Sequence, residues 1–384
     1  MAGRQQTIQR RVNLLTVLDE LRAGPHTISE LAAATGTTRP TVEAVVEELN
    51  TLGWLTQLPD EGGMGRPAAR WEAASDVNYV VALDIGAHHV TTMVANPSGQ
   101  ILRESTSALG ESDPADRRLE AVVEQARTCV ARSGVGWDAV SLCVAASPGV
   151  IDDGNILYFG GDGMPGWAGT DLSGELRSQL GVPTLVAGDC ALGALGEAWQ
   201  GAAEGQRDVV YVLSGQRTGA AAIIDGRVHQ GHRGSAGLVG ELPVLRWREI
   251  EDEMYGSTLG SSRPDRDEIF RRAALGDPAA CQAVDDFADA LALGAAAMAL
   301  AIGPSHVVVG GRFSAYADVF LDRFRTTMLR WCPIKPQVCA SRLGARAIGL
   351  GAVRFAMMSL HESLRTEALN TPSFPAAGPY RPAV

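Results

Sequence analysis

Lysine is almost absent from this 384-residue sequence: of 33 basic residues only Lys335 is a lysine. Bulk positive charge is lacking too, since 44 acidic residues leave a formal net charge of −11. That excludes a histone-like protein holding nucleic acid by bulk charge and leaves room for one small basic face at most. Long apolar runs are missing. The most apolar stretch, Ala290 to Ile302, lies between Asp289 and Gly303-Pro304, short of the roughly 20 residues a membrane span requires. The opening Met1-Ala2-Gly3-Arg4-Gln5-Gln6 has no apolar core of a signal peptide. The six cysteines are scattered, and the nearest pair, Cys332 and Cys339, forms no CxxC motif. They read as small buried hydrophobes in a reducing compartment, so the chain is expected to be cytoplasmic, with no metal site.

What is present is the composition of a soluble globular protein: 46% apolar, 20% charged, with mean hydropathy near zero. At about 150 residues per domain the length predicts two or three domains.

Residues 8 to 74 read as three helices and a hairpin. Leu14, Leu18 and Leu21 make one apolar stripe, and Gly24-Pro25 stops that helix. Thr27-Ile28-Ser29-Glu30 has the capping-box pattern. Ala34-Thr35-Gly36 turns the chain into a third helix, capped by Thr38, with Val42, Val45, Val46 and Leu49 facing inward. Trp54 to Gln57 and Ala68 to Ala73 then flank a Gly-rich loop. This is a winged helix-turn-helix. Such a fold offers the exposed start of its third helix to the major groove, here Thr37, Thr38, Arg39, Thr41 and Glu43, and its wing tip, here Arg66 and Pro67, to a narrow minor groove. Seven arginines against nine acids in residues 1–75 speak for the other reading, a helical module that docks protein.

Residues 79 to 360 alternate strands and helices. Tyr79–Ile85, His88–Ala95 and Gln100–Ser105 form one meander, and Val209–Leu213, Gly219–Ile224 and Arg227–Gln230 a second, each followed by helix–strand alternation. The repeat predicts two similar α/β lobes around a cleft. The expected domains are 1–74 for the head, 75–190 and 191–360 for the lobes, and a Pro-rich disordered tail over 361–384.

A winged head fused to a doubled lobe resembles the ROK family (repressors, open reading frames and sugar kinases). The resemblance spans nearly the whole chain and rests on the order of several motifs. These are Thr38-Arg39-Pro40-Thr41, Gly65-Arg66-Pro67, Leu83-Asp84-Ile85-Gly86, Ser147-Pro148-Gly149-Val150-Ile151-Asp152, Gly166-Trp167, Asp189 with Ala194-Leu195-Gly196-Glu197, Gly231 through Gly237, and Val309-Gly310-Gly311. It implies an actin-like ATPase (ribonuclease H-like, two-lobe) body. It also implies that Asp189 matches the catalytic aspartate and Asp84-Ile85-Gly86 the first phosphate turn.

Elsewhere the chain departs from the family. The second phosphate turn reads Ser214-Gly215-Gln216-Arg217-Thr218-Gly219-Ala220, with bulk where backbone must approach phosphate. Gly188 stands for the Asn before the catalytic Asp. The sugar-holding Ala-Gly-Glu-Ile-Gly-His segment is Ala236-Gly237-Leu238-Val239-Gly240-Glu241, and Leu238 accepts no hydrogen bond. The Cys-rich zinc segment does not follow. Kinase activity, ATP and zinc are therefore expected to be lost, with Asp189 a vestige. His88 and His89 are adjacent in a strand and face opposite ways, so they make no metal pair. The candidate ligand residues are Asp84, Gly86, Gly149, Asp189, Glu241 and His232. Asp84 could instead close a strand end and Asp189 cap a helix. The expected function is a transcriptional regulator, a repressor by preference. It would be a homodimer or tetramer on a double-stranded operator, its body sensing a sugar, a sugar phosphate or another metabolite. The alternative is an active ROK-type sugar kinase with a regulatory head.

Overall fold

The computed structural model describes residues 2–59, 69–160, 163–215, 218–250, 254, 266–371 and 373–378. The head opens with α1 (Ala2–Ala23), β1 (His26–Thr27), α2 (Ile28–Thr35) and α3 (Arg39–Thr51), and closes with β2 (Leu55–Gln57) and β3 (Arg70–Ala73). Both bonds of the capping box form: the Glu30 amide donates to Thr27 Oγ1 at 3.3 Å and the Thr27 amide to Glu30 Oε2 at 2.7 Å. Thr38 sits at the N-cap of α3 without capping it; its hydroxyl pairs with that of Thr41 at 2.8 Å. The three strands pair in the order β1-β3-β2. The wing tip residues Arg66 and Pro67 lie outside the described residues.

The body is one topology used twice. The first sheet, in the order β10-β7-β4-β5-β6, contains β4 (Tyr79–Ile85), β5 (His89–Ala95), β6 (Ile101–Ala108), β7 (Val140–Ser147) and β10 (Thr184–Gly188). The hairpin of β8 (Val150–Asp152) and β9 (Asn155–Tyr158), which the sequence did not announce, rises beside it. The second sheet, in the order β13-β12-β11-β14-β15, contains β11 (Val209–Leu213), β12 (Gly219–Ile224), β13 (Arg227–Val228), β14 (His306–Gly310) and β15 (Gln337–Ala340). In each, an antiparallel meander is extended on one side by two parallel strands. This is the two-lobe actin-like arrangement. Helices α4 (Ala115–Ser133) and α5 (Leu172–Leu180) cover the outer face of the first sheet, and α7 (Arg266–Ala274), α8 (Pro278–Ile302) and α9 (Ala317–Leu329) that of the second.

Between the sheets, α6 (Asp189–Gln200) lies on the second and α10 (Ala347–Asn370) on the first. Their backbones nearly touch. A Cβ on Gly351 would stand 1.7 Å from the Leu192 carbonyl oxygen, and one on Gly196 would stand 2.2 Å from that of Ala347, so only glycine permits the contact. Glu197 on α6 is fully buried. It accepts the amides of Ala202, Arg342 and Leu343 and the Ser341 hydroxyl. It thereby fixes the turn that leads into α10.

Two sequence expectations are corrected here. Residues 347–360 were placed in the second lobe, yet Leu350, Val353 and Ala356 pack on Val80, Ala82 and Leu142 of the first. The tail from 361 was expected to be disordered, yet α10 continues to Asn370 and buries Leu364 and Ala368 in the head. Phe374 follows them into the same core, beside Leu49 and Trp54. The Trp54 indole donates to the Pro375 carbonyl at 2.8 Å, and the Ala377 amide to that of Leu52 at 2.7 Å. The prolines gave a disorder-like composition; a docked aromatic overrides it.

Candidate functional site

A cleft of about 750 Å³ opens between the lobes. It is lined by the Pro148–Ile151 end of the β8–β9 hairpin, the start of α6, the first residues of β12 and the loop through Leu238 and Glu241. Three of the six expected ligand residues, Gly149, Asp189 and Glu241, line it. Gly149 has φ +106°, and a Cβ there would stand 2.4 Å from the Tyr158 carbonyl oxygen, so glycine is required for the hairpin to begin. Asp189 is the first residue of α6, and its carboxylate accepts the Cys190 amide at 2.7 Å. Burial and the neighbouring Asp189 charge push the Cys190 thiol well up, leaving it a neutral wall of the cleft.

Glu241 is held at the cleft mouth. It accepts the Tyr158 hydroxyl at 2.9 Å and pairs with Arg248. Partial burial opposes its charge, but the bonds from Arg248 and Tyr158 prevail and lower its carboxyl. A second link crosses the same rim, from Arg233 to Asp152 at 2.7 Å. His232 is corrected: it is exposed, outside the lining, whereas His229 lines the cleft.

Asp84 and Gly86 do not line the cleft either. Asp84 is buried at the end of β4, and His89 Nε2 reaches its Oδ2 at 3.5 Å. The hydrogen bond to Asp84 raises the His89 imidazole above its ordinary value, against the opposing effect of burial. The His89 ring lies against the open face of Gly86, 2.8 Å from where a Cβ would be. Behind the turn, the buried Arg118 donates to the carbonyls of Gly86, Ala87 and Gly110 at 2.9, 3.0 and 2.7 Å. His88 precedes β5 and turns toward Glu111, so the two histidines do part. Neither Arg118 nor Glu197 was singled out as an organiser of the site from sequence, although each is a charge in an otherwise apolar helical face. Gln216 and Arg217 of the second turn lie outside the described residues. No cluster of three metal-ligating side chains occurs among the described residues.

On the head, Thr38, Arg39 and Glu43 are exposed at the start of α3, and Thr37 and Thr41 are half-buried beside them. Two of the three acids of α3 are paired, Glu43 with Arg39 at 2.9 Å and Glu48 with Arg10 at 2.7 Å. The acidic count of the head therefore overstates the negative charge its third helix presents.

The model of the ROK family matches residues 80–254, and that of the IclR helix-turn-helix domain matches residues 7–59. Residues 80–254 thus form a ROK family domain. A xylose repressor from Caldicellulosiruptor bescii is 21% identical, over 90% of this chain and 96% of its own. A glucokinase from Streptomyces coelicolor is 25% identical over 73% of this chain and 98% of its own. A crystal structure of a ROK family transcriptional regulator, a homologue of the Escherichia coli MLC protein, superposes with TM-score 0.72. It is 17% identical and covers 94% of this chain and 99% of that one. The glucokinase match leaves out about a quarter of this chain, whereas the two regulators match it nearly end to end. No described helix is long and apolar enough to cross a membrane.

Proposed function

We propose that this chain is a transcriptional repressor whose ROK domain senses a small molecule and no longer phosphorylates one. The observation that carries the reading is the joining of an exposed helix-turn-helix to the two-lobe body by one continuous helix, α10, which shares a core with each. A ligand that favours one interlobe arrangement then shifts the position of the head, and with it DNA affinity. Thr37, Thr38, Arg39, Thr41 and Glu43 at the start of α3 meet the major groove, and Arg66 with Pro67 the minor groove. A homodimer or tetramer places two such heads on a palindromic operator. The xylose-repressor relative supports a sugar or sugar phosphate as effector, held near Gly149, Asp189 and Glu241.

The first turn supports the loss of phosphoryl transfer. His89 occupies the open side of Gly86 and hydrogen-bonds Asp84, so that turn is filled by protein where a nucleotide phosphate must come close to backbone. Leu238 lines the cleft where the family holds sugar hydroxyls. The occupied first turn speaks against ATP, and no zinc site is proposed. The opposing reading, a kinase with a regulatory head, draws on Asp189 standing at the cleft beside Gly149.

The test is anisotropy of labelled DNA from upstream of the chain's own gene, across a salt series. It is paired with ATP turnover on a hexose and amino-sugar panel. Specific binding without turnover is expected. Turnover abolished by Asp189→Asn would establish the kinase, and DNA binding unaltered by both Arg39→Ala and Arg66→Ala would overturn the regulator.

A further inference from the structure

A second cavity, of about 910 Å³, lies at the junction of head and body, apart from the interlobe cleft. Its walls come from α1 and the head strands on one side and from α6 and α10 on the other. Arg354 of α10 borders it, half-buried, with its guanidinium 5.7 Å from the ring centre of Trp199. Among the described residues no carboxylate lies within ion-pair reach of Arg354, and its guanidinium makes no hydrogen bond. That is unusual for a partly buried arginine, which ordinarily finds an anion or a carbonyl. By contrast Arg22, on the opposite wall, is paired with Asp19 and hydrogen-bonded to His361. The rest of the lining is chiefly apolar, with Trp54, Met357 and Leu360 prominent, and carries two further charges, Arg227 and Glu362.

We infer that this cavity is a ligand site for an organic monocarboxylate, an acid with an apolar aromatic or aliphatic body. With Asp19 paired to Arg22, the remaining charges of the lining are Arg354, Arg227 and Glu362. That surplus of one positive charge suits a single negative one, and the planar fork of Arg354 suits a carboxylate held in two bonds. The indoles and Met357 suit the apolar part, which an inorganic anion would leave bare. The volume fits a small organic molecule. The site bridges α1 of the head and α10 of the body, so an occupant ties the two together whatever the head binds. Phe355 lines this cavity and the interlobe cleft alike, which makes it the shared wall between the two.

The probes are phenylacetate and octanoate, with phenylethanol and octanol as neutral counterparts, added to the full-length chain. Binding is read by calorimetry and by quenching of tryptophan fluorescence, assigned with Trp199→Phe. Saturable binding of at least one acid is expected, with neither alcohol binding and with a raised melting temperature for the acid complex alone. Arg354→Gln should weaken the acid at least tenfold, Arg354→Lys less, and Arg117→Gln, an exposed cation on α4, not at all. If Arg354→Gln fails to fold, the Arg354→Lys and Trp199→Phe variants carry the comparison. Absence of saturable binding for both acids at millimolar concentration overturns the proposal. So does equal affinity of wild type and a folded Arg354→Gln, or binding of acid and alcohol alike.

Discussion

Replacing Phe374 by alanine should loosen the head while leaving the body intact. The side chain is 5% exposed and packs in the cluster that holds Leu49, Trp54, Leu364 and Ala368. Emptying a buried phenylalanine site costs about 3–5 kcal/mol. A strap seated by Phe374 and two hydrogen bonds can shift inward to fill part of the hole, which argues for the lower figure, about 3 kcal/mol. The strap's two bonds, Trp54 to Pro375 and Ala377 to Leu52, add about 1 kcal/mol each only while it stays seated. For a unit the size of the head, a loss of about 3 kcal/mol lowers the melting temperature by roughly 12–24 °C. Calorimetry should then split into an early head transition and an unchanged body transition. Amide exchange should show α1 and α3 losing protection while β4 and β7 keep theirs. Phe374→Leu, which keeps most of the volume, should cost about 1 kcal/mol. A head transition in Phe374→Ala indistinguishable from wild type, with α3 equally protected, would refute the claim that the tail belongs to the head's core.

Other consequences are as direct. Gly351→Ala sets a methyl group 1.7 Å from the Leu192 carbonyl oxygen, where backbone cannot swing aside; it should cost the body about 3 kcal/mol in urea denaturation. The His89 imidazole, raised by its bond to Asp84, should titrate by NMR above the ordinary histidine value. Its folded-state value is the higher one, so the pair's contribution is whole below the ordinary histidine range and fades as pH climbs through the raised value. Asp84→Asn should remove that slope, and an unshifted His89 resonance would contradict the pairing. Arg39→Ala should weaken operator binding by about 1–3 kcal/mol. Glu43→Gln should strengthen it, because Arg39 is released from its 2.9 Å partner and a carboxylate near phosphate is removed; weaker binding of Glu43→Gln would place Glu43 on a base instead.

What could be read beforehand was what neighbours in sequence decide. The Thr27–Glu30 box needs only four residues, and both its bonds form. The Pro278–Ile302 helix starts after Asp277, whose carboxylate accepts the Ala279 and Ala280 amides, and ends at Gly303 with φ +67°, so its bounds are written locally. The β8–β9 hairpin and β15 are four residues per strand or fewer, too short for alternation to declare itself. At the cleft, residue type brought Gly149, Asp189 and Glu241 to the right place. It could not show that His89 would turn back over Gly86, because that depends on how β4 and β5 meet. The joint between head and body was partly visible and passed over. Leu360, Leu364 and Ala368 recur at intervals of four past the point where the last helix was expected to stop, a helical stripe with nothing beside it in sequence to cover it. An apolar stripe of that kind must be buried somewhere or the helix does not form in water. Its partner is the head, more than 300 residues away along the chain, where Trp54 meets Pro375. The same stripe that ends the body thus completes the core of the head, and a head so completed cannot change its seat without moving α10.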